Sequence, residues 1–344
     1  MSEFGFELRL CAHLEAEGRL VARQLGASVH RPGNRVVDVL VVEPGPAFDD
    51  RRAITPETIP HLAIEADVGT GRARSRRRAF DGLDVHPETA RAVADRAVEV
   101  GFIERERRGG RDRFRQTVRY PDRWFDRLVA VENKPDLDRP GALESQLRTD
   151  VALGLVDEVV LATASHVTRA HLNRIPEAVG VWRVREPEVG AGSGSAGSVR
   201  DGVSTDVEVE VVREPTPLAV DEPGVEILDE WAGRTDVRIV GPGEKARQRR
   251  RMAERAYGKG WRTYELPGCA NARAGRIADV GELPACDYHD RLVEPAAECG
   301  PACPGFSPAE PPAVDLAAER DRTSPWVAAP TGFVRRQSGL DRFG

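Results

Sequence analysis

The run RVVDVLVVEPGP at residues 35–46 constrains this chain more than any other stretch. Its density of β-branched residues, closed by Pro44, predicts a buried strand. Such a strand needs sheet neighbours on either side and covering layers above and below. Asp38 interrupts the run. A carboxylate inside an apolar strand costs several kcal/mol unless it is paired, protonated or bound to a metal. A second apolar run, LVAVENK at 128–134, ends in Glu132 and Lys134 and is followed at once by Pro135. Alternation along a strand puts Glu132 and Lys134 on one side and Val129 and Val131 on the other. Glu132 and Lys134 fit either a surface ion pair or a site that holds a metal ion and a cation beside a phosphate.

Around these runs the chain reads as an alternation of helices and strands. A helix is predicted over 3–17, with Phe6, Leu10, Ala12 and Leu14 as its stripe; Glu7 beside them faces inward or belongs to the solvated side. A weaker strand over 61–68 carries Glu65. Residues 72–78, RARSRRR, bring Arg72, Arg74, Arg76, Arg77 and Arg78 together with no acid, as either a solvated loop or a patch that contacts the phosphates of DNA. A helix from Pro87 stops at Gly101. FIERERR and RDRFRQTVRY then alternate across Gly109-Gly110, a hairpin signal. Helix plus basic hairpin resembles the end of a winged helix, with Arg105, Arg107, Arg108, Arg111, Arg113 and Arg115 on the wing. These arginines either bind a nucleic-acid backbone through counterion release or simply solubilise a hairpin. After residue 134 the order is a helix over 142–155, a strand at 157–164, a short helix near 168–174 and a strand near 179–184. Leu143, Leu147, Val151 and Leu155 run down the first helix, with Gln146 beside them. The expected class is an α/β sheet with covering helices.

Asp38 in a buried strand, Glu132-Asn133-Lys134 at the end of a later strand and Gln146 on the next helix resemble the PD-(D/E)XK nuclease superfamily, within its RecB-like branch. The resemblance covers about the first 185 residues. It implies a restriction-endonuclease-like mixed sheet flanked by helices, with the basic helix and hairpin as an insertion at about 70–125. It further implies Mg²⁺ or Mn²⁺ held by Asp38, Glu132 and the main-chain carbonyl of Asn133, water oriented by Lys134, and a further ligand from Glu7. Hard carboxylate oxygens suit such cations. Gln146 takes the place of the glutamine in the branch's Gln-x-x-x-Tyr element; Asp150 stands where its tyrosine would be. The implied activity is DNA cleavage in repair, recombination or replication, and a non-catalytic DNA-binding or adaptor protein on the same fold is the alternative. The whole chain also resembles an uncharacterised haloarchaeal protein family. Lys134, Lys245 and Lys259 are the only lysines among 50 basic residues, so a lysine directly after Glu-Asn stands out.

A Gly/Ser-rich run at 186–206 follows, and VEVEVV at 207–212 either pairs back with 179–184 or opens a new unit. Residues 224–232 are expected to be helical, 236–240 a strand, and Gly243 to near Gly258 a basic helix. Cys269, Cys286, Cys299 and Cys303 lie in the spacing C-x16-C-x12-C-x3-C within a C-terminal region spanning 207–303. Four thiolates suit Zn²⁺ or an iron–sulfur cluster. Some RecB-like nucleases draw one cluster ligand from before the core, which by resemblance points to Cys11; the other reading is a buried structural thiol. Residues 304–335, rich in proline, alanine and charge, are expected to form a disordered tail. Within the last eight residues, Gln337, Leu340 and Phe343 keep the Gln-x-x-Leu-x-x-aromatic spacing of peptides that dock on the DNA sliding clamp. No apolar run approaches the ~20 residues that cross a bilayer. The first residues lack the marks of a signal peptide, so a cytoplasmic protein is expected.

Overall fold

A computed structural model of the chain describes residues 2–31, 33–52, 59–65, 73–75, 86–116, 122–139, 141–185, 207–277, 281–316 and 318–319. The first helix, α1 (Glu3–Ala16), starts at Ser2, whose hydroxyl accepts the Gly5 N–H at 3.1 Å. The strand β1 (Leu20–Gly26) has no counterpart in the sequence reading, because Arg23 and Gln24 break its apolar pattern. β2 (Val36–Pro44) runs antiparallel to it with Val21 opposite Val41. β2 is buried as expected, and the structure buries it on both faces. Val39 and Val41 pack with Phe6, Leu10 and Leu14 of α1, while Leu40 and Val42 enter a second cluster on the opposite side.

The chain then leaves the main sheet through α2 (Phe48–Arg52), α3 (His61–Glu65), β3 (Arg74–Ser75), α4 (Pro87–Glu99), β4 (Ile103–Arg108) and β5 (Arg111–Gln116). The last three strands form a small sheet in the order β3-β5-β4. It has its own core of Ile64, Ala94, Ala97, Phe102 and Phe114. The helix and hairpin predicted here are found, with Pro87 in the first turn of α4 and both Gly109 and Gly110 at positive φ. The strand expected over 61–68 is instead the short helix α3. Leu62, Ala63 and Ile64 are all buried, and Ala63 and Ile64 join the core that the insertion builds with Ala94 and Ala97 of α4.

β6 (Phe125–Asn133) returns to the main sheet beside β2, and α5 (Leu143–Leu153), β7 (Glu158–Thr163), α6 (Arg169–Leu172), β8 (Gly180–Arg185) and β9 (Glu208–Arg213) follow. The strand order is β1-β2-β6-β7-β8-β9. β6, β7 and β8 are parallel to one another, and the other neighbours are antiparallel. Residues 207–212 thus pair back onto β8. The stripe of α5 differs from the predicted one: Leu143, Leu147, Asp150 and Leu153 are buried, whereas Val151 is only half-buried. A strict four-residue step drifts off a 3.6-residue helix, so steps of four and three keep to one face. That places Asp150 on the buried side. Gly154, in the left-handed region, ends the helix.

Residues 224–232, expected to be helical, form β10 (Gly224–Trp231), which makes a hairpin with β11 (Arg234–Val240). The turn uses Gly233 at φ +82°, a conformation that favours glycine. Next, α7 (Pro242–Lys259) places Met252, Ala253, Ala256 and Tyr257 in the cluster under β2 and β6. Arg51 of α2 meets Glu254 of α7 in a fully buried pair at 2.6 Å, its guanidinium carbon 4.6 Å from the centroid of the Tyr257 ring. β12 (Ala272–Ile277), β13 (Gly281–Cys286) and β14 (Arg291–Leu292) make a third small sheet, followed by α8 (Pro295–Glu298). Leu283, Ala285 and Leu292 join the α1 side of the main core. The result is a mixed α/β fold, a large mixed sheet flanked by helices, with four cysteines towards the C-terminal end. Among the described residues no helix is long and apolar enough to cross a membrane.

Candidate active site

The register of β2 and β6 brings the two motif carboxylates together. Val39 faces Val131, so the next cross-strand pair is Asp38 and Glu132. The Asn133 N–H donates to Asp38 Oδ2 at 2.9 Å. From the α1 side, buried Glu7 enters the same group through Gln24, whose Nε2 donates to Glu7 Oε2 at 3.2 Å and Asp38 Oδ1 at 3.5 Å. Gln24 does this from φ +53° within a strand. That is an unusual conformation for a non-glycine residue, and such outliers cluster at functional sites. Arg23 Nε donates to Glu7 Oε1. Lys134 sits at the rim, half-buried, with its ammonium 3.7 Å from Glu3.

On the α5 side, Arg35 holds the carboxylates that face it. Its Nε and Nη2 donate to Asp150 at 2.8 and 2.6 Å, and Nη2 also donates to Glu132 at 2.6 Å. Burial pushes Glu132 up to about 7 against the opposing pull of Arg35, with Asp38 adding to the rise. Burial also raises Asp38, opposed chiefly by the Asn133 N–H, as well as Glu7 opposed by Arg23 and Asp150 opposed by Arg35. Four carboxylates thus share two hydrogen-bonded guanidiniums, a group that is short of positive charge when ionised. The buried Asn133 Oδ1 also lacks a hydrogen-bond partner. Hard oxygen donors with unmet charge fit a divalent cation. Even so, among the described residues no three His, Cys, Asp or Glu side chains are gathered closely enough to hold a metal ion as they stand. Beside Arg35 opens a polar cleft of about 250 Å³, lined by Gln146, Ser145 and Thr149 of α5 and by Ile227 to Glu230 of β10.

A family model described as a family of unknown function (DUF5787) matches residues 20–308. The chain belongs to DUF5787. No curated protein and no solved structure matches it. The DUF5787 match spans the main sheet, the insertion and all four late cysteines.

The other predicted sites of this DUF5787 chain fall elsewhere. On the wing, Arg107, Arg108 and Arg111 are exposed and Arg113 is half-buried. Arg105 pairs with Asp95 and Arg115 with Glu104, so part of the predicted basic surface is already neutralised. Arg74 lies on β3. Arg72, Arg76, Arg77 and Arg78 are outside the described residues, as are Gln337, Leu340 and Phe343. Cys269, Cys286, Cys299 and Cys303 line one small cavity together with His289. Cys11 does not join them; it is wholly buried in the core beneath α1. The sequence reading missed Arg23, Gln24, Arg35 and His289. Arg35 had a faint signal as the residue opening the strand run that contains Asp38. Gln24 had none, because its role depends on a backbone twist.

Proposed function

We propose that this protein is a metal-dependent nuclease that hydrolyses phosphodiester bonds in DNA. The observation that carries the reading is the meeting of Asp38 on β2 with Glu132 on the neighbouring strand β6, reached by Glu7 through Gln24, in a large mixed sheet flanked by helices of the kind the PD-(D/E)XK resemblance implies. Asp38, Glu132 and the carbonyl of Asn133 are the groups to hold Mg²⁺ or Mn²⁺. Such an ion, when bound, polarises a phosphoryl oxygen and lowers the pKa of its water. Lys134 suits a supporting role because Glu3, its partner, is 58% exposed. An exposed pair is worth only about 0–1 kcal/mol, so the ammonium can turn to a phosphoryl oxygen at little cost. Arg107, Arg108, Arg111 and Arg113 on the wing supply phosphate contacts. Recruitment by the DNA sliding clamp through Gln337, Leu340 and Phe343 belongs to the same reading and rests on their spacing alone.

Arg35 favours a second reading. Its guanidinium already neutralises Glu132, so a fold of this kind that kept Arg35 clamped would bind DNA without cutting it. Labelled single-stranded, double-stranded and flapped DNA incubated with the full chain in Mg²⁺ or Mn²⁺ separates the two. The nuclease reading expects cleavage that Asp38→Ala and Lys134→Ala each reduce by about 10²-fold or more, with DNA binding retained. Equal cleavage by the wild type and these variants overturns it, and binding without cleavage in either metal establishes the second reading.

A further inference from the structure

We infer that Cys269, Cys286, Cys299 and Cys303 form a structural zinc site that ties the C-terminal segment to the β12–β14 sheet, with His289 as a positioning residue beside Cys303. The inference does not depend on whether the sheet-end site cuts DNA. The four cysteines arrive from four different places. Cys269 lies in the turn before β12, and Cys286 ends β13 opposite Ala272. Cys299 follows the last turn of α8, and Cys303 closes a turn onto the Gly300 carbonyl. All are free thiols, and all line the same cavity with His289. The space inside is about 10 Å³, close to what a single water-sized sphere occupies. That is room for one ion.

Two further features point to a ligand. Residues 294–316 contain no buried side chain, yet they wrap back so that Cys269 bridges to Pro308 and the Ala270 N–H donates to the Ser307 carbonyl at 2.7 Å. Fixing such a run costs conformational entropy, with only partly buried side chains such as Leu316 to offset it, and small units of this kind use a metal as the missing core. Hydrogen-bonding groups also lie against the sulfurs. The Ser307 N–H points at Cys269 Sγ at 3.4 Å, and His289 Nε2 lies 3.4 Å from Cys303 Sγ. Donors in these places stabilise thiolates that carry a metal and hold them in orientation. The thiols line the cavity without being drawn to coordinating distance, and Zn²⁺, which favours four tetrahedral thiolates, is the ion that would close the set.

The test uses the full chain purified without added metal. Elemental analysis is expected to give one zinc per chain. Replacing the zinc with Co²⁺ should produce the intense visible bands of a tetrahedral tetrathiolate site. Cys299→Ser and Cys303→Ser should lose the zinc, Cys11→Ser should keep it, and His289→Ala should keep one zinc that a chelator strips 10–100-fold more readily. If the cysteine variants fail to fold, titrating chelator-stripped wild type with Co²⁺ still reads out the tetrathiolate bands. Absence of stoichiometric metal together with absence of cobalt–thiolate bands overturns the inference. So does a brown protein that releases iron and sulfide.

Discussion

Arg35 holds two carboxylates that do not otherwise belong together, Glu132 from a strand and Asp150 from a helix. All three side chains are 6–7% exposed, so their mutual charges are only weakly screened. Removing one member of a buried network leaves the others uncompensated, typically at a cost of about 3–5 kcal/mol. Arg35→Ala is therefore expected to lower the denaturation midpoint sharply, and Arg35→Met combined with Asp150→Leu to recover much of the loss. An Arg35→Ala protein as stable as wild type in a urea titration would show that the pair is not held as described. Gln24 works differently. Its contribution lies in a left-handed backbone within β1 that turns one amide towards both Glu7 and Asp38, a small strain of the sort that active sites retain.

At the scale of elements, the insertion behaves as a unit with its own core, and its hairpin carries both signs of charge. Arg107 faces Asp112, and Glu106 faces Arg113, across the ladder. The tip pair Arg108 and Arg111 stands beyond these partners. If the wing touches phosphate, replacing Arg107, Arg108, Arg111 and Arg113 with alanine should weaken DNA binding. It should also flatten the plot of log K against log salt by about 0.9 for each phosphate no longer neutralised. A binding isotherm series from low to moderate salt checks this, and an unchanged slope assigns the charges to solubility.

For the whole molecule, the late elements complete the early ones. β9 extends the sheet beyond β8, and α7 supplies Met252, Ala256 and Tyr257 to the cluster that also holds Leu40 and Leu128. A fragment ending near residue 185 would expose that surface to water. Burying each large apolar side chain is worth about 1.5–3 kcal/mol. A protease site engineered into the Gly/Ser run between Gly192 and Gly197 should thus yield two pieces that co-elute after cutting. The first piece expressed alone should lack a cooperative thermal transition.

The sequence by itself determined the strands whose side chains report their surroundings directly. β2 and β6 are apolar on both faces, so their burial follows from composition and period, and a carboxylate in such a strand is conspicuous because its desolvation is costly. The helix and hairpin of the insertion, the strands at 158–163 and 180–185 and the gathering of late cysteines were legible for similar local reasons. Tertiary structure alone decided the rest. β10 is a strand, where a helix was expected, because β11 provides it with a ladder. Residues 61–65 form a helix, where a strand was expected, with Ala63 and Ile64 packed in the core of the insertion beside Ala94 and Phe102. The candidate site depends on the cross-strand register that sets Asp38 beside Glu132 and on Arg35 reaching Asp150 from 115 residues away. No local pattern encodes which distant charge neutralises a buried carboxylate, because the energy of that choice exists only once water has been excluded.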